Sequence, residues 1–330
     1  MRFLPGDTIS EFLYALLVVY LILSLVLTLY SVIRMRLVEK KTNDVKSGRN
    51  RVLELRKQGR YTQMPVYSIE EMGADKHKED VRLFCFPNDA GKKSKFIIIL
   101  PGGGYAHCCT KEEGYPVAAA LNEMGYTAFI LEYRTGLDCT PFGPMEDLGN
   151  ALKLISNNQD KFNVTMDDYA IMGFSAGGNL ASIFASHEHG YEEFGVPRPK
   201  TVILGYPWTA VNDWLSHTYW NIWFGLMGIW LSFRGNFYMF GFKHIKLGKG
   251  ALDVKRYIDS DFPDTYMFSG SLDILVPASR HADTLEEAFK KNGVRYKYQK
   301  YFGLPHGIGL GKNTRAQGWL QEAVDFWEEI

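Results

Sequence analysis

The stretch "YAIMGFSAGGNLASIFASH", Tyr169–His187, decides how the chain is read. An apolar run ends in Gly-Phe-Ser-Ala-Gly-Gly, and small apolar residues follow. A buried strand handing over to a helix would leave Ser175 at the corner between them. Gly173 and Gly177 lack the Cβ atoms that would clash around so sharp a turn. Such a corner lifts a hydroxyl off the C-terminal edge of a sheet. It also aims the Ala176 N–H and the positive end of the helix at the same point. A bare structural turn is the competing reading, and a Gly-x-Ser-x-Gly pattern alone does not separate the two.

A serine hydroxyl is a poor nucleophile at neutral pH and needs a base. "YFGLPHGIGL" supplies His306, directly after the strand-like "VRYKYQKYF". His217 and His244 are rivals inside an aromatic insertion, and His281 is a rival in a helical stretch; none follows a strand. An orienting carboxylate is offered by Asp273 in "FSGSLDILVP", just past the strand-like "DTYMF". Its rivals are Asp264, at a strand start, and Asp283, within a helix. The order Ser175, Asp273, His306, each in a loop after a strand, suits a nucleophile–acid–base relay. Developing negative charge needs donors, and "IIILPGGGY" places Gly102, Gly103 and Gly104 straight after a buried strand. Gly103 or Gly104, together with Ala176, are the expected oxyanion donors. A phosphate cradle is the alternative, but "GGGYAHCC" lacks the Gly-Lys-Ser/Thr or spaced-glycine patterns of nucleotide sites. Glu113 and Tyr105 lie near this loop and read as structural.

These segments resemble the α/β-hydrolase superfamily, near its acetyl-esterase, acetylxylan-esterase-like and hormone-sensitive-lipase-like carboxylesterase groups. The resemblance is carried by "LPGGGY" (100–105), "EGYPVAAALNEMGYTAFILEYR" (113–134), "GFSAGGNLA" (173–181), "SGSLDILVP" (269–277) and "LPHGIGL" (304–310). It covers about residues 66–330. It implies a mostly parallel central sheet with helices on both faces and a serine hydrolase acting through Ser175, His306 and Asp273. Where the lipase-like branch has a histidine before the glycines, this chain has Pro101, which favours the acetyl-esterase-like branch.

The alternation of strands and amphipathic helices after about Val66 independently argues an α/β architecture. One segment breaks it. Residues 208–262 read as a cap-like insertion, and five of the chain's seven tryptophans lie within 208–230. The insertion can be cap core, acyl-pocket lining or a membrane-interface surface, the last suited by Lys243, Lys246 and Lys249.

The chain has 330 residues and zero formal net charge, which argues against a general nucleic-acid binder. Its four cysteines show no Cys-x-x-Cys spacing and fit a reducing compartment. Phe12–Ile33 is a run of 22 uncharged residues. As a helix it reaches about 33 Å, the thickness of a bilayer core. No small-residue cleavage site follows it, so an uncleaved anchor is expected over a signal peptide. Arg34, Arg36, Lys40 and Lys41 follow the run, while only Arg2 among basic residues precedes it. That asymmetry predicts a cytoplasmic C-terminal domain. The expected organisation is an anchor at 1–33, a juxtamembrane linker or short helix at 34–65, and the hydrolase domain at 66–330.

The reading is a single-pass membrane serine hydrolase of carboxylic esters with a short, medium or acetyl acyl group, or of lipid esters. It calls for no metal and no nucleotide cofactor. An amidase or peptidase on the same fold is the nearest rival, and a non-catalytic binding protein at the membrane is the rival from another class.

Overall fold

The computed structural model describes residues 5–88, 93–138, 141–211, 221–244 and 250–329. Cys139, His217, Lys246 and Lys249 lie outside these, as do the side chains of Lys243 and His244. Eight strands form one sheet: β1 (Thr62–Pro65), β2 (Arg82–Phe86), β3 (Ser94–Leu100), β4 (Thr127–Glu132), β5 (Val164–Phe174), β6 (Thr201–Gly205), β7 (Asp264–Gly270) and β8 (Tyr296–Tyr301). The α-helices are α1 (Pro5–Thr42), α2 (Val45–Lys57), α3 (Ile69–Ala74), α4 (Tyr115–Glu123), α5 (Gly143–Ser156), α6 (Gln159–Phe162), α7 (Ala176–Phe184), α8 (Ile222–His244), α9 (Ala282–Asn292) and α10 (Trp319–Glu328).

The strand order is β1-β2-β4-β3-β5-β6-β7-β8. β1 and β2 pair antiparallel at one edge, and the rest of the sheet from β4 to β8 is parallel. Continuous apolar runs become strands buried on both faces. Phe96 to Leu100 of β3 and Tyr169 to Phe174 of β5 have no exposed surface. One core layer includes Leu148, Leu152, Leu180 and Phe289; the other includes Val117, Leu121, Trp319 and Trp327. The chain is thus an α/β sandwich whose parallel strands all end on one side. The loops after β3, β5, β7 and β8 emerge together at that carboxyl edge, where open α/β sheets bind their ligands.

Several elements differ from the sequence expectation, among them β1 and the final helix. β1 was not foreseen, because four residues ending in Pro65 give too short a pattern. The final helix begins at Trp319 rather than near Arg315. Turn hydrogen bonds from Thr314 N to Gly311 O and from Gln317 N to Thr314 O occupy the intervening backbone. Gly318, at φ 99°, then sets the helix entry.

The N-terminal helix does not stop where its uncharged run stops. α1 continues to Thr42, and α2 turns back along the domain. Gly48 of α2 lies so close to Tyr115 and Pro116 of α4 that a Cβ there would meet the Pro116 nitrogen at 2.5 Å. The end of α1 lies along the loop that carries His306. Arg34 donates to Gly303 O (3.2 Å), Lys312 N donates to Thr42 O (3.2 Å), and Lys312 pairs with Asp44. Glu39 fills the space beside Gly307, and Asn43 the space beside Gly309.

Halfway along, α1 meets α8. Asn221 Nδ2 donates to Ser24 O and to Thr28 Oγ1, both at 3.1 Å. Trp223 Nε1 donates to Leu21 O at 3.2 Å, and Tyr20 Oη accepts from Ile222 N. α8 has three differently used faces. Met239 and Phe240 are buried in the core. Leu231 and Arg234 line the cavity above the sheet. Ile222, Leu226, Ile229, Trp230 and Phe233 are exposed. Their spacing of three and four residues puts them on one side of the helix.

Candidate active site

β5 ends at Phe174 and α7 begins at Ala176, so Ser175 alone makes the turn, at φ 50° and ψ −115°. A side chain at positive φ is strained, and it persists only where the surroundings hold it. Ser175 N donates to Gly205 O (3.0 Å), and its carbonyl accepts from Trp208 N (2.9 Å) and Asn179 N (3.2 Å). The surroundings also leave no room for a Cβ at the flanking glycines. One at Gly173 would meet Gly177 O at 2.2 Å, and one at Gly177 would meet Leu100 O at 2.0 Å.

The structure brings Ser175, His306 and Asp273 together. Ser175 Oγ lies 2.9 Å from His306 Nε2, and His306 Nδ1 lies 2.6 Å from Asp273 Oδ2. A carboxylate only accepts, so Nδ1 carries the proton and neutral His306 presents Nε2 as an acceptor to the serine hydroxyl. The other Asp273 oxygen accepts from Leu275 N (3.0 Å) and Val276 N (2.7 Å), which fixes the carboxylate plane. All three side chains are buried. Burial pulls the pKa of His306 down, but the charge and hydrogen bond of Asp273, with Glu113 and Glu39 behind, outweigh it, and the net shift is upward.

The rivals among the described side chains are placed elsewhere. His281 accepts from Ala210 N at 3.1 Å and does not line the cavity around Ser175. Asp264 pairs with Arg295, and Asp283 accepts from Tyr298 and pairs with Lys300.

The glycine loop after β3 is held in an unusual shape. Gly103, Gly104 and Tyr105 have φ of 126°, 63° and 59°. Glu113 anchors it from below: Oε2 accepts from Gly102 N at 2.6 Å, and Oε1 accepts from Tyr206 Oη at 2.8 Å. Burial pushes the Glu113 pKa up, against these two hydrogen bonds. Tyr133 Oη donates to Pro101 O (2.6 Å), and Tyr105 Oη donates to Asn179 Oδ1 (2.7 Å). Gly102 N is therefore occupied, while Gly103 and Gly104 line the cavity with Ser175. Ala176 is the first residue of α7, so its N–H has no partner within the helix.

This cavity holds about 200 Å³ and is lined in part by side chains from α1 and α8, among them Arg36, Glu39, Leu231 and Arg234. A second cavity of about 430 Å³ shares Arg36, Glu39, His107 and Gly307 with it and runs beside the end of α1. Cys109 also lines the first cavity. Burial, then the acidic neighbours Glu113 and Glu112, hold its thiol well above the usual range. Cys108 and Cys109 are both free thiols. Sequence reasoning did not find Glu39, His107 or Arg234 as cavity residues. Glu39 and Arg234 come from helices distant in sequence from the loops they face, and no motif marks them; His107 lies in the glycine loop itself. Glu113, read as structural, does hold the glycine loop.

The family model described as BD-FAE matches residues 84–202. An acetylxylan esterase of Xylanibacter ruminicola is 28% identical over 259 residues, covering 77% of this chain and 48% of that protein. Endo-1,4-beta-xylanase B of Butyrivibrio fibrisolvens is 34% identical over 134 residues, covering 38% of this chain and 21% of that protein. The chain thus spans about half, or less, of the length of these two relatives. Among solved structures, an acetyl ester-xyloside bifunctional hydrolase from Caldicellulosiruptor lactoaceticus superposes with a TM-score of 0.67 at 25% identity, over 81% of this chain and 96% of that one. A Pyrobaculum calidifontis esterase shares the fold, with a TM-score of 0.62 at 20% identity over 76% of this chain and 81% of that one. With the sheet order described above, these likenesses give the chain the α/β-hydrolase fold and a similarity to esterases of the acetyl-esterase-like kind.

Proposed function

We propose that the chain hydrolyses carboxylic esters at Ser175, with His306 as base and acid and Asp273 holding and charging the imidazole. The observation that carries this is the unbroken hydrogen-bonded line from Asp273 through His306 to a strained, buried serine. Ser175 Oγ attacks the ester carbonyl and passes its proton to His306 Nε2. The carbonyl oxygen gains the negative charge beside the N–H groups of Ala176 and of Gly103 or Gly104. Collapse expels the alcohol, which takes the proton back from His306. Water then gives a proton to His306 and attacks the acyl-serine. The acid leaves, and the proton returns to Ser175. Asp273 stays ionised throughout and stabilises the imidazolium.

The surroundings of the site support a membrane-borne substrate. α1 is apolar and long enough to cross a bilayer, and few of its side chains are covered by the domain. The exposed side of α8 continues that apolar surface from Asn221 onward. Both helices also wall the catalytic cavity. A chain anchored by residues 12–33, with the basic flank and the catalytic domain on the cytoplasmic side, would hold the cavity mouth against the lipid. Esters partitioned into the bilayer would then enter between α1 and α8. The xylan-related activities in the relatives' names do not fit a domain held in that place.

Replacing the nucleophile is the direct test of the chemistry. Ser175→Ala is expected to lower kcat on a p-nitrophenyl ester by about 10³-fold or more, because the base is left without a group to activate. Equal turnover by the variant would remove Ser175 from the reaction. The pH profile tests the base. His306 works only when neutral, and its pKa is raised, so kcat/KM should be full above that pKa and fall as pH drops through it. The acid limb is expected above the ordinary histidine value of about 6.5. A profile flat from about pH 5 to 8 would contradict the assignment. For the anchor, alkaline carbonate washing of membranes should leave the full-length chain in the pellet; release into the wash would refute a spanning helix.

A further inference from the structure

Arg234 reaches the catalytic cavity from α8. The space that a Cβ on Gly104 would fill is occupied by Nη2 of this arginine. Its guanidinium also lies over the Trp230 ring, 4.6 Å from the centroid. The charge therefore sits at the glycine loop, beside the carbonyl-binding position, and not in bulk water.

No carboxylate among the described residues forms an ion pair with it, and Nε is buried without a hydrogen-bond partner. The other charges of the cavity are already engaged. Arg36 pairs with Glu39 at 3.1 Å. Glu113 accepts from Gly102 N and Tyr206 Oη. Asp273 is committed to His306. A half-buried guanidinium with no counter-charge is costly, and the fold tolerates this one at the mouth of the reacting site. A planar fork of donors is well matched to the paired oxygens of a carboxylate or a phosphate.

We propose that Arg234 selects esters carrying a separate anionic group, a carboxylate or a phosphate, which docks on its guanidinium while the ester carbonyl lies at Ser175. The inference rests on the ester-hydrolase reading above and deepens it to a substrate class. It also suits the α1–α8 entrance, because a glycerolipid phosphate lies a few bonds from its ester carbonyls. Arg234 is a specificity residue here, distinct from the oxyanion donors.

Two matched substrate pairs test it on the full-length protein in detergent. The first is p-nitrophenyl butyrate against the mono-p-nitrophenyl ester of succinic acid, with the charge on the acyl side. The second is a monoacylglycerol against the lysophosphatidic acid of the same acyl chain in mixed micelles, with the charge on a lipid phosphate. Wild-type protein should prefer the anionic member of at least one pair, and the pair concerned assigns the source of the anion. Arg234→Met should reduce the anionic-to-neutral ratio of kcat/KM by about 10- to 100-fold, the range of a charge-assisted hydrogen bond. Arg234→Lys, which keeps the charge without the fork, should retain part of the preference. Turnover of neutral and anionic esters without preference overturns the proposal and leaves the ester-hydrolase reading standing. So does an equal fall of both members of a pair in Arg234→Met, which would mean an oxyanion or packing role. If no ester is hydrolysed at all, both readings fall together.

Discussion

One backbone position governs the rest of this protein. Ser175 takes the whole turn from β5 to α7 at positive φ, a conformation that a residue with a side chain adopts only under constraint. The constraint comes from all around it. Glycines at 173 and 177 let β5, α7 and the end of β3 approach to distances that no Cβ would allow. Gly205 O, at the end of β6, receives the serine N–H, and Trp208 N and Asn179 N hold its carbonyl. The sheet order puts β3 and β6 on either side of β5, so each neighbour contributes to the same corner. A strained residue at this point holds its hydroxyl within hydrogen-bond distance of His306 Nε2.

The second determinant is the way the N-terminal helix is joined to the site. α1 ends against the His306 loop through Arg34, Glu39, Thr42 and Asn43, and meets α8 through Ser24 and Thr28. The end of α1 is therefore part of the cavity wall. Glu39 is a case in point. Burial raises its pKa, Arg36 and His306 lower it, and its charge in turn contributes to the raised pKa of His306. Any tilt or withdrawal of α1 would change the shape of the cavity and the electrostatics of the base together.

Much of this was legible in the sequence, for a definite reason. Strands buried on both faces are continuous apolar runs, so β3, β4, β5 and β6 announce themselves, and the loops after them can be found by position. Ser175 and the glycines 102–104 follow two such runs, β5 and β3, while Asp273 and His306 follow β7 and the half-exposed, aromatic-rich β8. What was illegible depends on contacts between distant segments. Residues 34–65 read as a juxtamembrane linker or short helix; that 34–42 extend α1 and 45–57 form α2, both packed on the domain, rests on Gly48 meeting α4 and on the last turns of α1 meeting the His306 loop. Polar sequence with weak periodicity carries no sign of such docking. β1 is only four residues long, and α8 is apolar on nearly every side, so periodicity could not say which face meets the core, the cavity or the outside. Arg234 shows the limit most clearly. Its meaning lies in what is missing around it, and a sequence lists residues rather than vacancies.

The central claim is that Ser175 is activated by His306 and reached through an open cavity. Labelling the protein with a fluorophosphonate probe, then mapping the adduct by mass spectrometry, tests it most directly. The account predicts a single stoichiometric adduct on Ser175, lost in His306→Ala and slowed by a competing ester. Folded protein that remains unlabelled, or an adduct on any other residue, would contradict it.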